Sequence, residues 1–245
     1  MSHFAVLVLH EEDQPIEDLL APYDENIDVE PYIKRTKKEA IKELENEKYY
    51  NFQYINEYTS EQEYRELAED WFGYAPDENG NILSTYNPKS KWDWYQVGGR
   101  FSGLLPVIPS AVEGYHGAEC VDEAFVRHVK WYVPLDVQEK QEYIKWWSIN
   151  IDGAPGKKDD HFFYNSGYYK KRFKDVETYI KTQETFCCHA VVTPDGIWHE
   201  PSEVGWFGCT NGDPSEELEW DLHFKERFID TAEFDWVATV VDCHI

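Results

Sequence analysis

Apolar positions gather at the two ends of the chain and again late in its middle. His3–His10 is aliphatic almost throughout and residues 236–244 are rich in β-branched side chains, so each predicts a buried strand. Residues 187–193 predict a further core strand. Pro194-Asp195-Gly196 then supplies a tight turn, with 197–200 returning as its hairpin partner.

Between these runs the pattern turns helical, with clear start signals. Thr36 with Glu39, Ser60 with Glu63 and Asp136 with Glu139 are capping boxes, in which a side-chain oxygen and a carboxylate three residues on serve each other's backbone N–H. They predict helices over about 36–49, 60–73 and 136–148. Asp213-Pro214-Ser215-Glu216 opens another, with its cap, its proline at the first position and its early carboxylate. Helices are also predicted over 122–133 and 174–185, with 74–90 and 151–171 as loops. Pro15, Pro22 and Pro31 leave the acidic stretch 11–30 room for at most one helical turn. The pattern predicts an α+β fold: a mainly antiparallel sheet including both terminal strands, with helices packed around it. No repeat or low-complexity linker divides the chain, so residues 1–245 read as a single α+β domain.

Charge changes the picture. The 245 residues carry 23 Lys+Arg against 48 Asp+Glu, a formal net charge of −25. Aromatic residues make up 16%, enough to build a core, so the acidity does not mean disorder. A body this negative repels phosphate and anionic lipid, which disfavours direct nucleic-acid binding and binding to a membrane surface. The N-terminus lacks a basic segment, and the apolar run 4–9 is too short for a signal peptide or a membrane span. Five cysteines without a spaced framework, two of them adjacent at Cys187-Cys188, predict reduced thiols in a cytosolic compartment.

Four groups of residues could carry chemistry. Run antiparallel, the terminal strands bring His3 near His244, with Asp242 on the same face, while Cys187 and His189 share a face of their own strand. Imidazole, thiolate and carboxylate suit a divalent metal, although no recognised zinc spacing is present and ordinary strand-end hydrogen bonding is the simpler explanation of the residues. Gly98-Gly99-Arg100-Phe101-Ser102-Gly103 follows Trp92, Trp94 and Tyr95. Its glycines could bring backbone N–H groups and the Arg100 fork to an anion, or they could bend a strand while Arg100 pairs with an acid. Lys157, Lys158, Lys170, Lys171, Arg172 and Lys174 interleave with Phe162, Phe163, Tyr164, Tyr168 and Tyr169, beside the diluting Asp159 and Asp160. That suits either nucleotide stacking or a plain surface loop. Last come the acids themselves, clustered at 11–30, 57–78 and 213–235. Spaced carboxylates can imitate a phosphate backbone, or simply keep a protein soluble.

Several segments, taken together, resemble a protein family common in bacteriophage and prophage genomes that has no assigned activity. They are Ser2-His3-Phe4-Ala5-Val6-Leu7-Val8, Leu20-Ala21-Pro22-Tyr23-Asp24-Glu25-Asn26, the block 91–100, Ala190-Val191-Val192-Thr193-Pro194-Asp195-Gly196 with Trp198-His199, Gly205-Trp206-Phe207-Gly208, and Val241-Asp242-Cys243-His244-Ile245. The matching polar residues are His3, Asp93, Arg100, Asp195, His199, Asp242 and His244, whereas Glu203-Val204 departs from the Gly-Glu-Met pattern expected there. The resemblance implies a phage-type accessory protein in the cytoplasm of a bacterial host, of the kind that counters host defence or redirects a host enzyme.

Charge and resemblance together predict an acidic protein that binds and inhibits a host defence or nucleic-acid-processing protein, in the manner of a nucleic-acid mimic. Its partner would be a host protein with a basic surface. Its binding residues would be Glu11, Glu12, Asp13, Glu17, Asp18, Asp24, Glu25, Asp28, Trp92, Trp94 and Arg100. The alternative is a small metal-dependent enzyme or binding protein for a nucleotide or other anion. Arg100 would hold the anion there, with His3, Asp242 and His244 as acid/base groups or metal ligands. The first reading needs no cofactor. The second admits a divalent metal, with His3, His189 and His244 as candidate ligands.

Overall fold

The computed structural model describes residues 2–46, 60–156, 166–202 and 212–245. The chain divides into two compact units, one of Met1–Tyr23 with Lys91–Ile245 and one of Asp24–Ser90. In chain order the elements are β1 (His3–His10), α1 (Ile16–Leu20), β2 (Tyr32–Arg35), α2 (Lys37–Asn46), α3 (Glu61–Phe72), β3 (Ile82–Ser84), β4 (Trp94–Val97), β5 (Leu105–Pro106), β6 (Cys120–Val121) and β7 (Glu123–Phe125). They continue with α4 (Val137–Asn150), α5 (Ser166–Phe173), α6 (Val176–Glu184), β8 (Ala190–Val192), β9 (Trp198–His199), α7 (Pro214–Phe224) and β10 (Val237–His244).

The larger unit is organised by one sheet in the order β4-β10-β1-β8-β9, with β7 also paired to β10. Both terminal strands lie at its centre, antiparallel and in register from His3 opposite His244 to His10 opposite Val237. β1 and β8 run parallel, so the sheet is mixed. A strand covered on both faces must be apolar at odd and even positions alike, and Val6, Leu7, Val8 and Leu9 are completely buried. Each such burial contributes about 1.5–3 kcal/mol. Leu7 and Leu9 pack with Val240, Trp220 and Phe224 on one face. On the other face Val6 and Val8 meet Val241, Trp92 and the buried side of α1, namely Ile16, Leu19 and Leu20.

The smaller unit sets α2 and α3 beside the antiparallel pair β2–β3 around Ala40, Leu44, Tyr64, Ala68 and Ile82. The Thr36 and Ser60 capping boxes both form. Beyond Asn46, the end expected for α2 lies outside the described residues.

Some sequence expectations give way. Residues 122–133 form β7 and a short 3₁₀ turn at Val126–His128 instead of a helix. Burial alternates there, with Ala124 and Val126 inside, and β7 pairs with Val237, Ala238 and Thr239, a partner remote in sequence. The 151–171 loop contains the start of α5. Lys174, at φ 65°, separates α5 from α6, which starts at Val176 under a cap from the Asp175 side chain. Among the described residues, no helix is long and apolar enough to cross a membrane.

Candidate functional site

Side chains alternate along β1 and β10, so the register fixes which polar groups meet. His3 stands opposite His244 and Ala5 opposite Asp242, all on one face of the central pair. Asp242 is only 1% exposed, and a carboxylate so buried needs donors. It has two: His3 Nδ1 at 2.9 Å and the backbone N–H of Arg100 at 2.9 Å. His244 places its Nδ1 2.5 Å from Asp93, whose own backbone N–H donates to the His244 carbonyl. The two imidazoles stand edge to face with centroids 5.1 Å apart, and Trp94 lies edge-on to His3 at 6.4 Å.

An ionised carboxylate only accepts hydrogen bonds, so beside one, Nδ1 is the donating nitrogen, and in that tautomer of a neutral ring the lone pair sits on Nε2. Such carboxylate-oriented imidazoles can act as general bases or as metal ligands. Among the described residues, no group of three or more His, Cys, Asp and Glu side chains is placed to hold a metal ion. His189 lies apart from this pair, edge-on to Phe4 at 5.3 Å and 3.8 Å from Glu200.

The glycine segment is explained by two carboxylates. At Gly99, φ is +52° and a Cβ would fall 2.5 Å from the Asp242 side chain; at Gly98, φ is +68° and it would fall 2.3 Å from Asp122. Only glycine lets this backbone come so close. The segment then wraps the acids with N–H groups: Arg100 donates to Asp242, while Gly103 and the Ser102 hydroxyl donate to Asp122. The Arg100 side chain is exposed and has neither ion pair nor hydrogen bond among the described residues. Trp92 is a core residue at 6% exposure, whereas Trp94 is 48% exposed.

The acids of 11–30 divide into two sets. Glu11, Glu12, Asp13, Glu17 and Asp18 are exposed around α1 in the larger unit, and among the described residues none has a basic partner. Asp24, Glu25 and Asp28 belong to the smaller unit and serve it locally, accepting hydrogen bonds from Asn26, Tyr86 and Thr85 respectively.

The basic, aromatic stretch resolves into an internal clamp. Arg172 bridges Glu217 at 2.8 Å and Asp221 at 2.5 Å, and Lys170 pairs with Asp152. Burial pulls against the guanidinium, but Asp221 beside it keeps its pKa above the ordinary value. Tyr168 donates to Glu217, and the Cys187 thiol donates to Asp221 at 3.3 Å. Burial, reinforced by Asp221, pushes the pKa of that thiol well above its ordinary value. Sequence reasoning missed this clamp. Its only signal was Glu217 and Asp221 four residues apart on one helix. Lys157, Lys158, Asp159, Asp160, Phe162, Phe163 and Tyr164, like the 203–208 motif, lie outside the described residues.

Comparison of the chain with protein-family models, with curated proteins and with solved structures returns no match.

Proposed function

We propose that this protein works by presenting a fixed set of carboxylates to the basic surface of another protein and blocking it, the partner being a host defence or nucleic-acid-processing protein in a phage-infected bacterium. One observation carries the reading. Glu11, Glu12, Asp13, Glu17 and Asp18 crowd a short stretch whose Ile16, Leu19 and Leu20 are locked in the core, so the carboxylates are exposed from a rigid base, without an ion pair among the described residues. A preordered array of like charge costs a partner little further ordering entropy and steers its approach. The test is a panel of purified bacterial nucleases assayed for DNA cleavage over a salt series, with the wild-type protein and with the variant carrying Glu11→Gln, Glu12→Gln, Asp13→Asn, Glu17→Gln and Asp18→Asn. Inhibition at low salt that disappears in high salt and in the variant supports the reading. Inhibition that is equal in the variant, or absent across the panel, sinks it.

A second reading, catalysis or binding on a nucleotide or similar anion, draws on the paired imidazoles. His3 and His244 each have a carboxylate behind Nδ1, and the Arg100 side chain is exposed and unpaired among the described residues. Its test is nucleotide turnover with and without added divalent metal. Activity lost in His244→Ala at unchanged thermal stability would favour it over the inhibitor.

A further inference from the structure

Helix α4 carries Glu139, Glu142, Tyr143 and Trp146 at spacings of three and four residues, so the four lie along one face. Tyr169 of α5 and Tyr179 of α6 join them, and together they line a cavity of about 500 Å³, within the range of small-molecule sites. The rings form a continuous wall. Trp146 stacks on Tyr179 at 5.4 Å and tilts against Tyr169 at 5.5 Å, while Tyr143 meets Tyr179 edge-on at 5.8 Å.

The charged residues among the described lining, Glu139 and Glu142, are both acidic. Glu139 uses an oxygen to cap the helix through the Asp136 N–H, and among the described residues Glu142 accepts only from Gln138, at 3.4 Å. Neither carboxylate has an ion pair among the described residues, and no described lysine or arginine lines the cavity. Lys140, on the same helix, is engaged by Glu184 at 2.7 Å. Aromatic faces carry negative potential, and two carboxylates at the rim deepen it. Acidic groups beside aromatic faces favour a cation over an anion or a neutral solute of the same shape. Such a cavity suits a cation whose charge is spread over an alkylated, weakly hydrated surface.

We infer that the α4–α5–α6 cavity is a binding site for an alkylated ammonium cation, either free or carried on a methylated lysine side chain. The inference is independent of the acidic array around α1. No residue of that array lines the cavity.

Ligand-observed NMR on the full chain tests it, with choline chloride as the probe and sodium chloride as the ionic control. The neutral isostere 3,3-dimethylbutan-1-ol separates charge from shape. Choline is expected to bind saturably, with the neutral alcohol at least about fivefold weaker. Glu139→Gln with Glu142→Gln removes both charges at constant volume, and is expected to weaken choline about fivefold at unchanged melting temperature. A peptide bearing trimethyllysine, compared with its unmodified lysine counterpart, distinguishes the sources. Tighter binding of the modified peptide than of choline assigns the cation to a protein chain, and the reverse order assigns it to a small molecule. Absence of saturable binding by both choline and the modified peptide overturns the inference. So does equal binding of the neutral alcohol, or unchanged affinity in a folded double variant.

Discussion

Arg100 reaches Asp242 with its main chain and not with its side chain: the backbone N–H lies 2.9 Å from the buried carboxylate, while the side chain is exposed. The glycines ahead of it therefore matter more to the fold than the arginine does. Among the described residues the guanidinium pairs with no internal acid, against the second of the two sequence expectations for Arg100, while its holding an anion belongs to the second functional reading above. The side chain is left available to a ligand.

Arg100→Ala is accordingly expected to change stability by less than about 0.5 kcal/mol, as for an exposed side chain without partners. Gly99→Ala is expected to cost roughly 2–4 kcal/mol, combining a left-handed φ with a clash against Asp242. Urea denaturation of the two variants checks this. A large loss for Arg100→Ala would contradict the main-chain account.

Asp242→Asn keeps the shape but places an amide between two donors. His3 then has to present a bare Nδ1 to the new N–H, or one donor goes unsatisfied. A loss of about 1–3 kcal/mol is expected, with nitrogen-detected NMR of the His3 ring showing the proton moved from Nδ1 to Nε2. An unchanged tautomer at full stability would refute the pairing.

Glu200 gives a pH dependence. Burial opposes its charge, but His189, Lys91 at 2.7 Å and the Trp198 indole at 2.9 Å hold its pKa below the ordinary 4.5. Folding thus favours the ionised form. The contribution is complete above about pH 4.5 and is lost as the pH falls through the folded-state value. Glu200→Gln should cost about 1–3 kcal/mol at pH 7. Melts run from pH 7 down to about 3 should show the gap to wild type narrowing below pH 4.5. A gap constant with pH would show that the carboxylate charge does not stabilise the fold.

The thiols should differ sharply. Cys120 is exposed, whereas burial raises the pKa values of Cys188 and Cys243, the latter with help from the Asp242 charge. Short exposure of the native protein to iodoacetamide, mapped by mass spectrometry, should label Cys120 and leave Cys188 and Cys243 unmodified until denaturant is added. Early labelling of Cys243 would mean that the β1–β10 pair opens readily.

The central pairing was legible because both terminal segments are apolar on both faces, and antiparallel pairing of the two ends places His3 against His244 whatever happens between. Period and caps located α3, α4 and α7 for the same local reason. What escaped depended on partners far away in sequence. Glu123-Ala124-Phe125 becomes a strand only because Val237-Ala238-Thr239 is available to pair with it. The parallel β1–β8 contact needs a long crossover that no local pattern reveals. The role of Arg100 was hidden because a main-chain N–H is common to almost every residue. The aromatic wall draws one or two rings from each of three helices, so no single stretch of sequence displays it.

The placement of β1 also sets the order of events during synthesis. Every strand that pairs with it begins at residue 190 or later, so Val6-Leu7-Val8-Leu9 has no hydrogen-bonding neighbour until most of the chain has been made. Residues 24–90, by contrast, contain both strands and both described helices of their own unit and can close early. The sheet of the larger unit thus rests on pairings remote in sequence and is expected to fold slowly, with an apolar strand exposed meanwhile. A chaperone that shields such segments is expected to raise the yield, and destabilising substitutions in β10 should appear first as insoluble protein.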